Sequence, residues 1–382
     1  MAPAARVARA INGSCRVHRV SEIRATTTRA QPPNQKHARP PRRIPVTDSR
    51  PSVLITAPFD AHQLALLRTS FEVTSIAPSM DGTSLAHRGI DEQLAAAEVI
   101  VAELDLIDEA TLALAPNLAA VVSCRAKPVN VDLDACSSRG IPVITTPGRN
   151  AEVTADLSFA LLMATVRHVS ASERWLRAKN WTESDVFEPY ERFRSIGLGG
   201  RTLGILGGGA VGRRMLRRAL GFGMKVKVYD PFLPADAFGS DAVVATLDEV
   251  MSTSDIVTVH VPLMAETEGL IGARELALMK SDAFLINAGR AAIIDEQALM
   301  AVLREHRIAG AGFDVFYQEP LPYDSELFAL DNVTMTPHIA GASDDVIAEH
   351  SRIAAHALQL WLAGEPLPGV ANAKALTTAT AS

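Results

Sequence analysis

Three charged residues in the second half of the chain have side chains suited to handling an acid substrate. Arg290 follows the apolar run LINA, Glu319 lies just beyond FDVF, and His338 ends VTMTPH. A guanidinium binds a carboxylate through two hydrogen bonds and polarises a neighbouring ketone. Imidazole is the usual proton donor near neutral pH, and a nearby carboxylate favours its protonated form and fixes its orientation. Together these residues predict proton transfer to a 2-oxo acid that receives a hydride.

Each of the three residues also has an ordinary interpretation. An arginine after a strand is often a solvated cap, a glutamate before proline a loop residue, and a histidine a surface or core group. The interpretation as a catalytic group therefore depends on all three lying at one edge of one sheet. Ligands of open α/β sheets bind outside the carboxyl ends of the strands, which is where such residues would gather.

A glycine-rich turn supplies the second kind of chemistry. Gly207, Gly209 and Gly212 form G-x-G-x-x-G between an apolar run at 203–206 and a helix-like segment at 210–220. In a dinucleotide site the first glycine permits a tight turn, the second lets the backbone approach a pyrophosphate, and the third lets helix and strand pack closely. The pyrophosphate then lies on the free N–H groups at the helix start.

An acidic residue follows at the position that such a site requires. The segment 225–229 is strand-like and ends at Asp230. A carboxylate there accepts hydrogen bonds from the ribose of NAD and repels the 2′-phosphate of NADP. A turn or cap role for Asp230 is the alternative. Strand, turn, helix, strand and acid in this order predict an NAD site.

The remaining strand-like runs alternate with helical segments, which indicates parallel α/β architecture. Before the glycine turn the runs are 53–57, 71–76, 99–102, 118–123 and 141–145, and after it they are 255–260, 283–288, 311–315 and 333–338. We therefore expect two Rossmann-like domains with doubly wound parallel sheets, the second containing at least six strands. Long helices at 150–168 and 344–361 would cross between the domains.

The expected domain boundaries follow from this pattern. Residues 52–149 and 342–370 would form a discontinuous, flavodoxin-like substrate domain, and residues 150–341 an inserted NAD-binding domain. Residues 1–51 are expected to be a disordered or targeting extension and residues 371–382 a disordered tail. The segment 170–198, with Trp175, Trp181 and Tyr190, predicts either surface packing or an arm that contacts another subunit.

Composition narrows the class of protein. The chain has 382 residues and a net charge of −6. Residues 1–50 carry ten Arg and one Lys against Glu22 and Asp48, a charge of +9, which leaves −15 on the rest. An acidic body argues against nucleic-acid binding, and no apolar run reaches membrane-spanning length. Three cysteines without C-x-x-C spacing indicate a reducing compartment, and no metal site is predicted.

The cellular location follows from these features. We expect a cytoplasmic protein. The basic, acid-poor first 50 residues leave an organelle as the alternative, if they are a transit peptide.

Five segments make the chain resemble the NAD-dependent D-isomer-specific 2-hydroxyacid dehydrogenases, in the branch close to D-3-phosphoglycerate dehydrogenase. They are TLGILGGGAVG (202–212), DIVTVHVPLMAETEGLI (255–271), MKSDAFLINAGRAAIID (279–295), AGAGFDVFYQEPLP (309–322) and NVTMTPHIAG (332–341). The resemblance covers roughly residues 52–370 and implies an NAD-dependent oxidoreductase acting on a D-2-hydroxy acid or 2-oxo acid, commonly a homodimer.

The resemblance also implies roles for individual residues. Arg290 would bind the substrate carboxylate and carbonyl, and His338 would be the acid/base paired with Glu319. Asp314 and the segment Ala288–Arg290 would contact the nicotinamide side. The full set of residues expected to bind the cofactor is Gly207, Gly209, Ala210, Val211, Gly212, Asp230, Pro262, Thr267, Ala288, Arg290, Asp314, His338 and Gly341.

The sequence departs from the family in the loop expected to bind the substrate carboxylate. Arg125, Ala126 and Lys127 stand where glycine is usual. Arg125 and Lys127 would either supply charge for a phosphorylated or dicarboxylic substrate, or block a cradle that needs positive φ. Ala291 also replaces a usual glycine, which would shift Arg290 modestly.

Three other functions remain as alternatives. Relatives of this fold include non-enzymatic, NAD-responsive corepressors. Enzymatic turnover by this protein would exclude a purely non-enzymatic role. A glyoxylate/hydroxypyruvate reductase would act on a smaller substrate. Formate dehydrogenases resemble this chain but carry Gln in place of Glu319, and formate oxidation needs no proton transfer.

Overall fold

Two parallel β-sheets form the framework, as the alternating pattern predicts. The computed structural model describes residues 50–79 and 81–379. The first sheet contains β1 (Ser52–Ile55), β2 (Glu72–Ser75), β3 (Val99–Ala102), β4 (Ala120–Ser123) and β5 (Val143–Thr145). The second contains β6 (Thr202–Leu206), β7 (Lys225–Tyr229), β8 (Val243–Val244), β9 (Ile256–Val259), β10 (Phe284–Asn287), β11 (Gly310–Phe313) and β12 (Val333–Met335).

Strand order in both sheets is that of doubly wound folds. It is β2-β1-β3-β4-β5 in the first sheet and β12-β11-β10-β9-β6-β7-β8 in the second. The predicted fold class, two Rossmann-like α/β units, is confirmed. The order reverses direction beside β6 and β9, and the crevice at such a reversal is where dinucleotides bind.

Thirteen α-helices accompany the sheets within the described residues. They are α1 (Ala61–Leu67), α2 (Asp91–Ala96), α3 (Glu109–Leu114), α4 (Leu133–Ser138), α5 (Ala151–Val166), α6 (Val169–Arg177), α7 (Glu188–Arg192), α8 (Ala210–Gly221), α9 (Leu247–Thr253), α10 (Ala273–Leu278), α11 (Glu296–Arg304), α12 (Asp344–Ala363) and α13 (Ala373–Ala379). Helix α10 begins after Gly272, whose N–H donates to the Glu275 carboxylate.

The register of the second sheet brings polar residues to one edge. Val259 pairs with Asn287, Asn287 with Phe313, and Phe313 with Met335. These four residues end β9, β10, β11 and β12 at the same level. The residues that follow them therefore emerge side by side, which is where the sequence places its candidate catalytic groups.

Two long helices connect the sheets. Helix α5 follows the first sheet and buries Leu161 and Leu162 in the core of the second. Helix α12 follows the second sheet and buries Leu358 and Trp361 in the core of the first. This arrangement supports the domain boundaries expected from the sequence, which remain a prediction.

The chain end differs from the expected disordered tail. Residues 373–379 form α13, and the buried Asn372 side chain accepts a hydrogen bond from the Val143 N–H (3.0 Å) and donates to the Ile141 carbonyl (2.9 Å). These bonds fasten the segment to the edge of the first sheet. Residues 380–382, and residues 1–49 of the expected extension, lie outside the described residues. Within the described part of the chain, no helix combines the length and apolarity needed to span a bilayer.

Candidate active site

The centre of the site is a hydrogen-bonded pair of side chains from two neighbouring loops. His338 Nδ1 lies 2.7 Å from Glu319 Oε2. A carboxylate only accepts, so Nδ1 carries the proton and the opposite ring nitrogen, Nε2, is the atom available to a substrate. The two side chains are 44% and 37% exposed, so neither is buried in the protein interior. His338 has a φ of 53°, uncommon for a residue with a side chain.

Glu319 is held as a carboxylate by its neighbours. Burial raises its pKa, but hydrogen bonds from His338 and from the Phe316 N–H (3.0 Å), with the charge of Arg290, leave the pKa below its ordinary value. Glu319 therefore stays ionised at neutral pH and can always accept a hydrogen bond from the Nδ1–H group of His338.

Arg290 is presented by a turn that Asn287 holds in place. The buried Asn287 amide accepts from the Gly289 N–H (2.9 Å) and donates to the Arg290 carbonyl (3.0 Å). The exposed guanidinium donates to the Gly289 carbonyl (2.7 Å), which leaves its other N–H groups for a substrate. Ala291 begins a short 3₁₀ turn without positive φ, so the departure from glycine causes no backbone strain there.

Arg290 and His338 line a cavity of about 490 Å³, which Val211 of α8 also lines. Of the residues expected from the sequence it brings together Val211, Ala288, Arg290, His338 and Gly341. Asn150 and Thr154, at the start of α5, also line the cavity and were not expected from the sequence. His260 lines it as well.

A second histidine on the cavity wall, His260, is uncharged. His260 lies within 2.9 Å of the Thr258 hydroxyl, and burial lowers the pKa of His260 to about 4. It is thus a neutral polar group on the same cavity wall as His338 at physiological pH, and no chemical step is assigned to it.

The glycine turn has the geometry that a dinucleotide requires. Gly207 has a φ of +100°, and a Cβ on Gly212 would lie 2.0 Å from the Gly207 carbonyl oxygen, so both positions exclude side chains. A Cβ on Gly209 would meet nothing within 4 Å, which leaves open space at the start of α8. Ala210 and Val211 provide the first N–H groups of that helix. The turn therefore fits a pyrophosphate at the helix N-terminus.

Asp230 lies beside this turn at the end of β7. Its carboxylate accepts from the Gly208 N–H (2.9 Å) and from the Phe232 N–H (3.0 Å). Asp230 is half-buried, so it is partly accessible to solvent beside the glycine turn.

The loop after β4 carries the expected cations without backbone strain. Within the described residues, no φ is positive at positions 125–127, so a cradle requiring positive φ is absent. The Lys127 ammonium donates to the Leu263 carbonyl of the other sheet's loops (3.3 Å). The Arg125 guanidinium is half-buried and, in the part of the chain that the structure describes, has no hydrogen-bonding partner. Neither side chain lines the 490 Å³ cavity.

Three further residues expected at the cofactor, Pro262, Thr267 and Asp314, do not line the 490 Å³ cavity. Thr267 donates to the Pro262 carbonyl (2.6 Å) and closes a loop at the end of β9 rather than lining the cavity. Asp314 is 0% exposed, so no atom of it faces the space for a nicotinamide. A larger cavity of about 870 Å³, beside α11 and the loop around Tyr317, contains none of Arg290, Glu319 and His338.

Comparisons with known proteins show which family the chain resembles. The family model for the D-isomer specific 2-hydroxyacid dehydrogenase NAD binding domain matches residues 159–340. A putative 2-hydroxyacid dehydrogenase, YoaD of Bacillus subtilis, is 39% identical over 315 residues, covering 81% of this chain and 90% of that protein. Glyoxylate reductase of Thermococcus litoralis is 38% identical, over 72% of this chain and 83% of the reductase. The solved structure of TT0316 from Thermus thermophilus superposes with a TM-score of 0.69 at 32% identity, over 84% of this chain and 99% of that one.

Proposed function

The chain belongs to the D-isomer-specific 2-hydroxyacid dehydrogenase family, and on that premise we propose how its residues carry out the reaction. It is an NAD-dependent oxidoreductase that interconverts a D-2-hydroxy acid and its 2-oxo acid. The bound nicotinamide supplies or accepts the hydride at the substrate C2. The observation that carries the residue assignment is the 2.7 Å contact between His338 and Glu319, on a cavity that Arg290 lines.

Arg290 binds and polarises the substrate. Its free N–H groups hold the carboxylate and lie against the carbonyl oxygen, where negative charge develops as the ketone is reduced. The Asn287-held turn fixes the Arg290 backbone, and the bond to the Gly289 carbonyl restrains the guanidinium before the substrate binds.

His338 moves the proton. In the reducing direction Nε2 donates its proton to the carbonyl oxygen, and in the oxidising direction it removes the proton from the hydroxyl. Glu319 accepts a hydrogen bond from the Nδ1–H group throughout, which orients the ring. A carboxylate in this position supports proton transfer and argues against formate as the substrate.

The cofactor lies along the carboxyl edge of the second sheet in this proposal. Gly207, Gly209 and the first residues of α8 hold the pyrophosphate, and Asp230 binds the ribose. Ala288 and Gly341 face the nicotinamide from the cavity wall. The open backbone at Gly209 and the helix N-terminus support this placement.

The substrate is proposed to carry a second anionic group, such as a phosphate or another carboxylate. Arg125 supports this, because its guanidinium has no partner among the described residues and its loop follows a strand of the first sheet. A small monoanion, as in a glyoxylate or hydroxypyruvate reductase, is the second candidate. The glyoxylate reductase relative and the absence of Arg125 and Lys127 from the cavity wall favour that candidate.

A substrate panel tests the function. Purified full-length protein is mixed with NADH and, separately, glyoxylate, hydroxypyruvate, pyruvate, 2-oxoglutarate and 3-phosphohydroxypyruvate. We expect turnover that His338→Ala lowers by about 10²–10⁴-fold while NADH binding persists. A preference for a phosphorylated or dicarboxylic member supports the Arg125 anion site, and a preference for glyoxylate discards it. Unchanged turnover in His338→Ala removes His338 from the mechanism.

We also propose a homodimer in the cytoplasm. Exposed aromatic side chains on and beside α7 support the dimer. The free, buried thiols of Cys124 and Cys136 support a reducing compartment. An organelle stays the alternative, since residues 1–49 lie outside the described residues.

A further inference from the structure

The loop after β4 carries a lysine whose side chain reaches a loop of the other sheet. The Lys127 ammonium donates to the Leu263 carbonyl (3.3 Å). Lys127 follows β4 of the first sheet, and Leu263 follows β9 of the second. Both loops leave the carboxyl ends of parallel strands, which is where ligands of such sheets bind. The hydrogen bond therefore joins the two sheets on the side where the substrate and the cofactor are proposed to lie.

The loop that carries the donor is fastened at both of its ends. Near its start, the Arg125 carbonyl accepts from the Thr146 N–H (3.0 Å). At its far end, the buried Asn130 side chain accepts from the hydroxyl of Ser123, the last residue of β4 (2.8 Å). Only a few residues separate these two anchors. The backbone of Lys127 is therefore held in place, and its side chain starts from a fixed point.

The acceptor belongs to a loop that packs against the glycine turn. A Cβ on Gly207 would lie 2.8 Å from the Val261 nitrogen, so the start of the loop after β9 touches the turn proposed to bind the pyrophosphate. Further along, the Thr267 hydroxyl donates to the Pro262 carbonyl (2.6 Å), which closes the loop around Leu263. The Leu263 carbonyl is thus fixed relative to the proposed cofactor site.

Two roles are open to an ammonium group at this place. A group that binds the substrate anion would face the substrate, but Lys127 does not line the 490 Å³ cavity of Arg290 and His338. Its observed partner is an uncharged carbonyl. A hydrogen bond between two separately anchored loops favours arrangements in which the loops lie close together, because separating them breaks it. Glycine, which is usual in this loop of the family, has no side chain with which to make such a bond.

We propose that Lys127 is a positioning residue that fastens the loop after β4 to the wall of the cofactor site. It holds the first sheet's side of the substrate site at a fixed distance from the nicotinamide. Lys127 acts on the position of its loop and not on the charge of the substrate. The inference rests on the proposed function in placing the substrate beside this loop, whereas the contact with Leu263 is a property of the chain alone.

Substitutions of Lys127 test whether the hydrogen bond matters. Lys127→Met keeps most of the side-chain length and removes the donor, and Lys127→Arg restores a donor. Lys225→Met, at the exposed start of β7, removes the same charge elsewhere and is the matched control. We expect Lys127→Met to lower kcat/KM for the 2-oxo acid by about three- to tenfold, as the loss of one charge-assisted hydrogen bond at an exposed site. Lys127→Arg and Lys225→Met should stay within about twofold of the wild type.

The charge of the substrate separates positioning from anion binding. Hydroxypyruvate and 3-phosphohydroxypyruvate differ by one phosphate group, and pyruvate and 2-oxoglutarate differ by one carboxylate-bearing arm. A positioning role lowers kcat/KM in Lys127→Met by the same factor, within about twofold, for both members of a pair. A loss about tenfold larger for the more anionic member would overturn the proposal in favour of direct substrate binding. Unchanged kcat/KM in Lys127→Met, or an equal loss in Lys127→Arg or Lys225→Met, would overturn it as well.

A measurement without turnover separates this proposal from the proposed function. Hydrogen exchange of the full chain, read by mass spectrometry of peptides covering 124–131 and 261–270, reports the opening of the two loops. We expect exchange in both peptides to be about three- to tenfold faster in Lys127→Met than in the wild type, Lys127→Arg and Lys225→Met. Equal exchange in Lys127→Met and the wild type contradicts the positioning role, whereas silence of the wild type on the substrate panel contradicts only the proposed function.

Discussion

At the scale of single residues, Asp230 is the group that should decide which dinucleotide binds. Its carboxylate is fixed by the Gly208 and Phe232 N–H groups at the end of β7, so it cannot swing away from a 2′-phosphate. On the proposed function, the carboxylate oxygens would also accept hydrogen bonds from the ribose hydroxyls of NAD.

We therefore expect the wild type to use NADH at least about tenfold more efficiently than NADPH, a difference of about 1.4 kcal/mol. Asp230→Ser should narrow this ratio by raising KM for NADH and lowering KM for NADPH. Steady-state kinetics with both cofactors at one substrate concentration measure it. Equal efficiency of the two cofactors in the wild type would show that Asp230 serves only the turn.

A second residue, His350, links stability to pH. It is 0% exposed, its Nδ1 lies 3.1 Å from Arg149 Nη1, and its Nε2 lies 2.7 Å from the Pro58 carbonyl oxygen. A guanidinium only donates and a carbonyl only accepts, so the ring is neutral with its proton on Nε2. Burial and the charge of Arg149 hold the pKa of His350 below its ordinary value, against the opposing effects of Pro58 and Glu103.

The sign of the pH effect follows from this lowered pKa. As pH falls below the ordinary value near 6.5, unfolded chains bind the proton before folded ones do, so the free energy of unfolding decreases. His350→Gln removes this titration, and its melting temperature should fall less steeply than that of the wild type between pH 7 and pH 5. The pH dependence of the free energy of unfolding should differ between the two proteins by at most about 1.4 kcal/mol per pH unit. His260, whose pKa is about 4, contributes to acid sensitivity in both proteins, and parallel curves would show that His350 contributes nothing.

At the scale of elements, the strand–turn–helix unit from β6 to α8 depends on two glycines in different ways. A Cβ at Gly212 would lie 2.0 Å from a backbone oxygen, whereas one at Gly209 meets only open space at a φ of −74°. The first position serves the packing of helix on strand, and the second leaves room for a ligand.

We expect Gly212→Ala to lower the free energy of unfolding by about 2–3 kcal/mol or more, because a backbone atom cannot move as a side chain can. Gly209→Ala should leave the free energy of unfolding within about 0.5 kcal/mol and weaken NADH binding by about tenfold. Thermal unfolding and NADH titration of the two matched variants measure both effects. Intact NADH binding in Gly209→Ala would move the pyrophosphate away from this backbone.

The sequence predicts elements well where an apolar run is long and bounded. The strands expected at 99–102 and 225–229 are those observed, and both sheets and both crossing helices were expected. Helices α4 and α9 and the two-residue strand β8 were not, because short amphipathic segments carry little periodic signal.

The residues of the candidate site also differ in how well the sequence predicts their positions. Arg290, Glu319 and His338 could be placed from strand ends alone, since parallel strands bring their carboxyl ends together. Asp314 has the same sequence context as a ligand-binding residue at a strand end. Only the fold shows that the hydrogen bonds to its carboxylate come from a segment that begins 22 residues later, at Thr336.

At the scale of the whole molecule, α6, α7 and the segment between them leave apolar side chains in solvent. Neither helix has a buried residue. The large exposed side chains are Leu176 (54%), Trp181 (54%), Val186 (53%), Phe187 (74%) and Tyr190 (80%). Exposed apolar side chains gathered in one segment are typical of a protein–protein contact, and a stable dimer needs about 600–1,000 Å² per partner.

A two-fold contact through this segment would bury the aromatic side chains as the centre of an interface, where each contributes about 2 kcal/mol or more. Phe187→Ser with Tyr190→Ser should therefore convert a dimer of twice 40.8 kDa into a monomer. Light scattering after size exclusion measures the mass. Tyr323→Ser, which removes a fully exposed aromatic elsewhere, is the matched control and should remain dimeric. A dimer that survives the double substitution would place the subunit contact on another face, and the exposed aromatic side chains would then need a different partner.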